Sequence, residues 1–312
     1  MRVNRHDPFS SGFGAVLLAA WCGAPLLAQN APATPDFSSV QVRATNVAGN
    51  LYALEGQGGT VTVLAGPDGA LIIDSQFAPL TEKLVASIRG FTPAPLRFLV
   101  NTHAHGDHTG GNANFAKLGA TIIAHDQVRQ RLRFPPAGPD GKPGAPAVAE
   151  ALPVVTFSGP TRMHVNGQEV FLLPVPPGHT DGDVMIAFPG LDVLVVGDFY
   201  RTVGYPVADL TRGGSLRGII DSLGMAISHA GPKTRVIPGH GPISDRAAMM
   251  ATRDMLATIY ADVQARVSSG ITVEELLASK PTASWDASVP QGAQASERLV
   301  RTLFTEISAT PR

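Results

Sequence analysis

A single cysteine, Cys22, occurs among 312 residues, so the chain can close no intrachain disulfide and build no thiolate metal site. Aromatic residues are scarce at 6%, and neither charge sign is in excess, with 24 Lys+Arg against 25 Asp+Glu. Without a basic surplus the usual signature of a phosphate-backbone partner is missing, and no nucleic-acid partner is expected. Beyond the first 28 positions no stretch reaches the ~20 apolar residues that a spanning helix needs. What remains is a globular composition, 44% hydrophobic, with a length that covers one large domain or two small ones.

The N-terminus has a pattern of its own. Arg2, Arg5 and His6 precede an apolar run from Phe13 to Ala28, interrupted by Gly23 and Pro25. A basic start, a short apolar stretch and small residues at its end predict a secretory signal peptide over 1–28, cut after Ala28. Trp21 stands before Cys22 where a lipid-attachment motif wants a small residue, so lipidation is not expected. The mature chain is then periplasmic or secreted, with no stable membrane association. Residues 29–38 read as a linker and 39–312 as one domain with C-terminal helices.

Within that domain, β-rich runs alternate with turn signals: VQVRATNVA, LYALEG, TVTVLAG and ALIIDS. Leu80, Leu84, Val85 and Ile88 recur at helical spacing, and LRFLVNT (96–102) reads as a buried strand. NANFAKLG and DQVRQRLR read as helices around a strand ATIIAH. Five prolines in 134–150 predict a long irregular loop. The second half repeats the order. TRMHV, QEVFLLPV, DVMIAFP and LDVLVVGD are strand-like, 215–231 helical, TRVIPGH a strand, and 244–268 a long helix, with TVEELLAS and ERLVRTLFTEIS helical beyond it. Strands then helices, twice, predict two halves facing across a sheet sandwich with helices outside.

The chemistry concentrates in histidines. Of nine, three stand in one hexapeptide, His103-Ala104-His105-Gly106-Asp107-His108, delivered by the strand LRFLVNT. Imidazoles and carboxylates are the ligands that suit zinc without thiolates. The one-residue gap between His103 and His105 lets both rings point one way from an extended chain. Gly178-His179 and Gly239-His240 each follow a strand-like run, the glycine allowing a sharp turn, and Gly197-Asp198 closes VLVVGD. Five histidines and two aspartates suffice for two metals with open positions. His164 and His229 read as structural or surface residues, and His125 as a helix cap. Tyr205 and Gly213-Gly214 read equally as an ordinary loop or as substrate contacts.

The hexapeptide, Gly110-Gly111, Gly178-His179, Gly197-Asp198 and Gly239-His240, in that order over about 40–245, resemble the metallo-β-lactamase superfamily. The resemblance implies an α+β fold, the four-layer αβ/βα sandwich, with metals at one edge. It implies His103, His105 and His179 on one zinc, and Asp107, His108 and His240 on a second, with Asp198 bridging. Asp74 matches the family's buried aspartate behind the metal histidines. Aspartate at 198, in a mature chain without cysteine, resembles the glyoxalase-like and lactonase-like branches.

The implied function is hydrolysis of an ester, lactone, thioester or lactam in a small molecule. Water shared by two zinc ions would give hydroxide at neutral pH, with Asp107 orienting it or moving its proton. Three alternatives stand beside this: an antibiotic-hydrolysing β-lactamase, an iron-dependent persulfide dioxygenase, and a non-enzymatic periplasmic metal- or ligand-binding protein.

Overall fold

A computed structural model describes residues 36–138, 141–289 and 292–309, with side chains described from 295 in the last stretch. The expected signal peptide and linker positions 29–35 lie outside the described residues. The last linker positions are docked: the Lys83 ammonium donates to the carbonyls of Phe37, Ser38 and Val40 at 2.8, 2.6 and 2.7 Å, and the Phe37 ring packs on Phe77.

The first sheet contains β1 (Arg43–Ala48), β2 (Leu51–Glu55), β3 (Val61–Leu64), β4 (Ala70–Ile73), β5 (Leu96–Val100), β6 (Thr121–His125) and β7 (Val155–Phe157), in sequence order. Its pairs are antiparallel up to β4 and parallel from β4 to β7. Between these strands lie α1 (Thr81–Arg89), α2 (Gly106–Thr109), α3 (Asn112–Lys117) and α4 (Asp126–Arg133). The second sheet contains β8 (Thr161–Val165), β9 (Gln168–Pro174), β10 (Val184–Phe188), β11 (Val193–Arg201), β12 (Arg235–His240) and β13 (Ser244–Asp245). Only β11 and β12 run parallel there, joined by α5 (Leu216–His229). The chain continues through α6 (Arg246–Ser268), α7 (Val273–Ala278), α8 (Ala283–Asp286) and α9 (Gly292–Ala309).

Period-two alternation explains the layers. In β4, Leu71 and Ile73 enter the core between the sheets, whereas Ala70 and Ile72 face a second core shared with Leu84 and Ile88 of α1 and Phe115 of α3. In β10, Val184, Ile186 and Phe188 enter the inter-sheet core, and Met185 and Ala187 turn outward onto α5, α6 and α9. A strand buried on both faces reads as a continuous apolar run, and these two do. On α5 the buried Leu216, Ile219, Leu223 and Ala226 follow helical spacing, and Ser215 Oγ caps its start by accepting from Gly218 N at 2.8 Å. The result is the expected four-layer α+β sandwich. The described part of 134–148 is irregular, as its prolines predict, tied back where Ala147 N donates to Leu132 O at 2.9 Å.

This topology places chemistry at one edge. Asp74 follows β4, the hexapeptide follows β5, Asp198 lies on β11, and His240 ends β12. Those are the carboxyl-terminal parts of two parallel strand pairs, one from each sheet.

Candidate metal centre

Asp74 is the anchor of the first half. It is buried, with φ +63°, in the left-handed region that aspartate tolerates better than most residues. Oδ1 accepts from Thr102 N at 2.7 Å, and Oδ2 accepts from Thr102 Oγ1 at 2.7 Å and faces His108 Nδ1 at 2.7 Å. Thr102 has one hydroxyl proton, and it goes to Asp74. Its oxygen therefore accepts from His103 Nδ1, 3.0 Å away. Both rings thus have Nδ1 committed as a donor, which in neutral His103 leaves Nε2 with its lone pair. His103 Nε2 is buried with no hydrogen-bond partner.

The same logic fixes two more rings. His179 Nδ1 lies 2.5 Å from the Val207 carbonyl, which can only accept. His105 Nε2 lies 2.9 Å from Asp209 Oδ2. The remaining nitrogens, His105 Nδ1 and His179 Nε2, face each other at 2.7 Å. Two lone pairs at that distance repel unless a cation sits between them. Together with the orphaned His103 Nε2, this donor set fits a divalent metal. The three nitrogens lie within 4.8 Å of one another.

A second triad contains Asp107, His108 and His240. His108 Nε2 and His240 Nε2 are 3.5 Å apart, and Asp107 Oδ2 lies 3.2 Å from His240 Nε2 and 3.7 Å from His108 Nε2. Asp198 reaches both triads: Oδ1 is 3.1 Å from His108 Nε2, and Oδ2 is 3.2 Å from His240 Nε2 and 3.6 Å from His179 Nε2. All seven ligand candidates therefore converge, in two groups joined by one carboxylate.

Burial and charge divide the rings by protonation. Burial holds His103 well below the ordinary imidazole pKa, with His108 adding repulsion, and lowers His179 to about 4. Both are neutral at pH 7, the ligand form. Burial works against charge on His108 and His240 too, but Asp198 and Asp74 raise the first, and hydrogen bonds to Asp107 and Asp198 raise the second to about 9. Without metal, then, His240 is protonated below about pH 9. A cation must displace that proton, so its affinity should rise with pH and level off above this range. We expect the Kd for a divalent metal to tighten about tenfold per pH unit, per proton displaced, between roughly pH 6 and 8. Calorimetry in buffers of different ionisation enthalpy should show proton release; pH-independent affinity would contradict the assignment.

Several functional partners escaped sequence reasoning. Asp209 is held well below the carboxylate range: burial alone would raise it, but hydrogen bonds from His105, Thr211 and Arg212 reverse that. Asp183 accepts from His179 N at 2.7 Å and from Thr180 N and Oγ1 at 3.0 and 2.6 Å, shaping the His179 loop. Neither stands in a recognisable pattern; Asp209 looks in sequence like an ordinary turn cap, which it also is.

Neither glycine that precedes a histidine uses the conformational freedom expected of it. Gly178 and Gly239 have no positive φ; the left-handed positions are Gly197 and Gly241. Gly239 is required by close approach, since a Cβ there would stand 1.9 Å from Asp198 Oδ1. Tyr205 is settled against substrate contact: it is buried, and its hydroxyl donates to Asp286 Oδ1 at 2.8 Å. Gly214 packs on the His179 carbonyl. His125 caps α4, accepting from Gln127 N at 3.2 Å, while His164 and His229 are exposed.

A sequence model of the metallo-β-lactamase superfamily matches residues 54–244. The chain belongs to that superfamily. It is 28% identical over 182 residues to a hydroxyacylglutathione hydrolase of Anaeromyxobacter dehalogenans, spanning 58% of this chain but only 60% of that relative's length. It is 27% identical over 232 residues to metallo-β-lactamase domain-containing protein 1 of Xenopus laevis, covering 70% of this chain and 85% of the relative. Among solved structures, a metallo-β-lactamase from Pontibacter korlensis superimposes with a TM-score of 0.58 at 20% identity, covering 70% of this chain and 99% of that one. The last likeness speaks for the fold alone.

Proposed function

We propose that this member is an exported, zinc-dependent hydrolase that cleaves an ester, lactone, thioester or lactam carbonyl in a small molecule. One observation carries the reading: two histidine-rich triads joined by Asp198, with His103 Nε2 buried without a partner and the ligand nitrogens of His103, His105 and His179 within 4.8 Å of one another. His103, His105 and His179 would hold one ion, Asp107, His108 and His240 the other, and Asp198 both. A bound divalent metal supplies Lewis acidity, polarising a carbonyl oxygen and making water a stronger acid.

The chain's own residues supply the rest. Asp107 is the catalytic candidate: its Oδ2 lies 3.2 Å from His240 Nε2, and its side chain is 24% exposed. It orients the attacking water or moves its proton. Asp74 and Asp209 hold the ligand rings in their tautomers, which keeps the cluster preorganised. The hairpin loop above His108 excludes water from that side, with Gly59 so close that a Cβ would stand 2.1 Å from the ring.

Two measurements test this. Metal-loaded protein should turn over at least one ester, lactone or thioester with kcat/KM above ~10⁴ M⁻¹s⁻¹, lose that on chelation, and act more slowly on common β-lactams. Penicillin or carbapenem turnover at ~10⁶–10⁸ M⁻¹s⁻¹, with esters far slower, would make it a β-lactamase instead. Export rests on the basic start and short apolar run; N-terminal sequencing of the mature protein should begin within a few residues of Gln29, and retention of Met1 would refute it.

A further inference from the structure

Gln76 carries two costs at one position. It is fully buried, and its φ of +50° lies in the left-handed region that a residue with a side chain enters only under strain. Its Oε1 is buried without a hydrogen-bond partner among the described residues, a loss against water. A glycine would carry neither cost. The backbone is pinned on both sides: Ser75 N donates to His108 O at 2.8 Å, and Gly111 N donates to Gln76 O at 3.0 Å. Against this the side chain makes one contact, Nε2 donating to Gly59 O at 2.7 Å. A carbonyl can only accept, so the orientation of the amide is forced. Oε1 is left beside Gly56, 3.1 Å from where a Cβ would stand there.

Gly59 belongs to the loop 56–60, which joins β2 to β3 and lies over the second triad. A Cβ on Gly58 would stand 3.1 Å from Asp107 Cβ, and the approach of Gly59 to the His108 ring is closer still. Gly59 N donates to Asp107 O at 3.3 Å, and Thr60 N donates to Gly239 O at 2.8 Å. On its other side Gly58 meets the Phe77 ring, 2.9 Å from its Cβ position, and Phe37 backs that ring. Three of the five loop residues are glycine, the composition with the most backbone freedom to lose. Such a loop stays down on the cluster only if something rigid holds it, and Gln76 is held rigidly by its own backbone bonds.

We propose that Gln76 is the latch of this loop, a positioning residue that keeps it closed over Asp107 and His108 and so retains the ion of the second triad. The retained ion rests on the metal-dependent hydrolase reading; the latch itself is testable without metal.

Two variants of the full chain remove the amide in different ways. Gln76→Met keeps the bulk and the strained φ; Gln76→Gly gives up both. In the metal-free protein, amide hydrogen exchange at Gly59 and Thr60 should quicken about fivefold or more in both variants, the effect of losing one hydrogen bond that holds a local opening shut. The amides of β4 should be unchanged in Gln76→Gly. The chains are then loaded with zinc and mixed with a chromophoric chelator. Both variants should release one ion per chain about fivefold or more faster than wild type, and the other at the wild-type rate. A rise in loop exchange in only one variant, or one that β4 shares in Gln76→Gly, would overturn the latch, because packing or general loosening would then explain it. Zinc release unchanged in both variants, or quickened equally for both ions, would overturn its hold on the second triad. A chain that takes up no zinc, yet shows the exchange result, would keep the latch and overturn the hydrolase reading.

Discussion

Asp198→Asn should strip the centre of metal and lower turnover by about 100-fold or more, because the loss disturbs both halves of the cluster at once. The carboxylate is held well below its ordinary pKa: burial alone would raise it, but His108 and His179 outweigh that, together with a hydrogen bond from His240. It is the counter-charge for His108, whose side chain is fully buried. An amide keeps the shape but offers one acceptor oxygen and an NH₂ group where the carboxylate has two acceptors. One of the contacts to His108 and His240, at 3.1 and 3.2 Å, must then meet a hydrogen. Elemental analysis and steady-state rates on the same preparation check this. A fully loaded variant within about fivefold of wild-type turnover would show that Asp198 is not shared between the ions.

Gly239→Ala should be nearly as damaging without replacing a ligand. The new Cβ would lie 1.9 Å from Asp198 Oδ1, 2.7 Å from Gly197 C and 2.9 Å from Asp198 N. Two of those atoms are backbone, in a parallel pairing where Gly197 lies opposite Pro238, so they cannot swing aside. Overpacking of this kind costs about 1–3 kcal/mol in stability, and relief can come only by moving Asp198. Metal affinity should fall about 10–100-fold, the range seen when groups supporting ligands are disturbed. Gly224→Ala is the matched control, since its Cβ would meet nothing within 4 Å and it lies within α5. It should be neutral or stabilise by up to about 1 kcal/mol. If Gly239→Ala binds metal as tightly as Gly224→Ala, the close approach is not what demands glycine.

What was legible and what was not divides along a physical line. Strands such as ALII and VMIAF announce themselves because burial on both faces requires an unbroken apolar run. The hexapeptide announces itself because three imidazoles and a carboxylate in six positions have little other use. The residues that orient those ligands carry no such mark. Asp209 reaches His105 across 104 positions, and the Val207 carbonyl reaches His179 as backbone, which no side-chain pattern encodes. Gly239 reads as a turn residue because glycine has two uses, conformational freedom and absence of bulk, and sequence does not separate them. Tyr205 reads as loop or substrate contact alike because its partner, Asp286, belongs to helices 81 positions further on.

Ligands drawn from both sheets have a kinetic consequence. His103, His105, Asp107 and His108 come from the first half, and His179, Asp198 and His240 from the second, with His108 and His240 132 positions apart. Neither half alone holds the donors of either triad's full set. An ion held by both triads would therefore gain its full ligand set only once both sheets have docked, the slow, non-local event for a topology of this kind. Bound there, an ion would act as a clasp between the two halves, withdrawing the docked state from equilibrium with its opened forms. Metal uptake after dilution from denaturant thus becomes a clock for docking, and chelation of the native protein should speed unfolding more than it slows refolding.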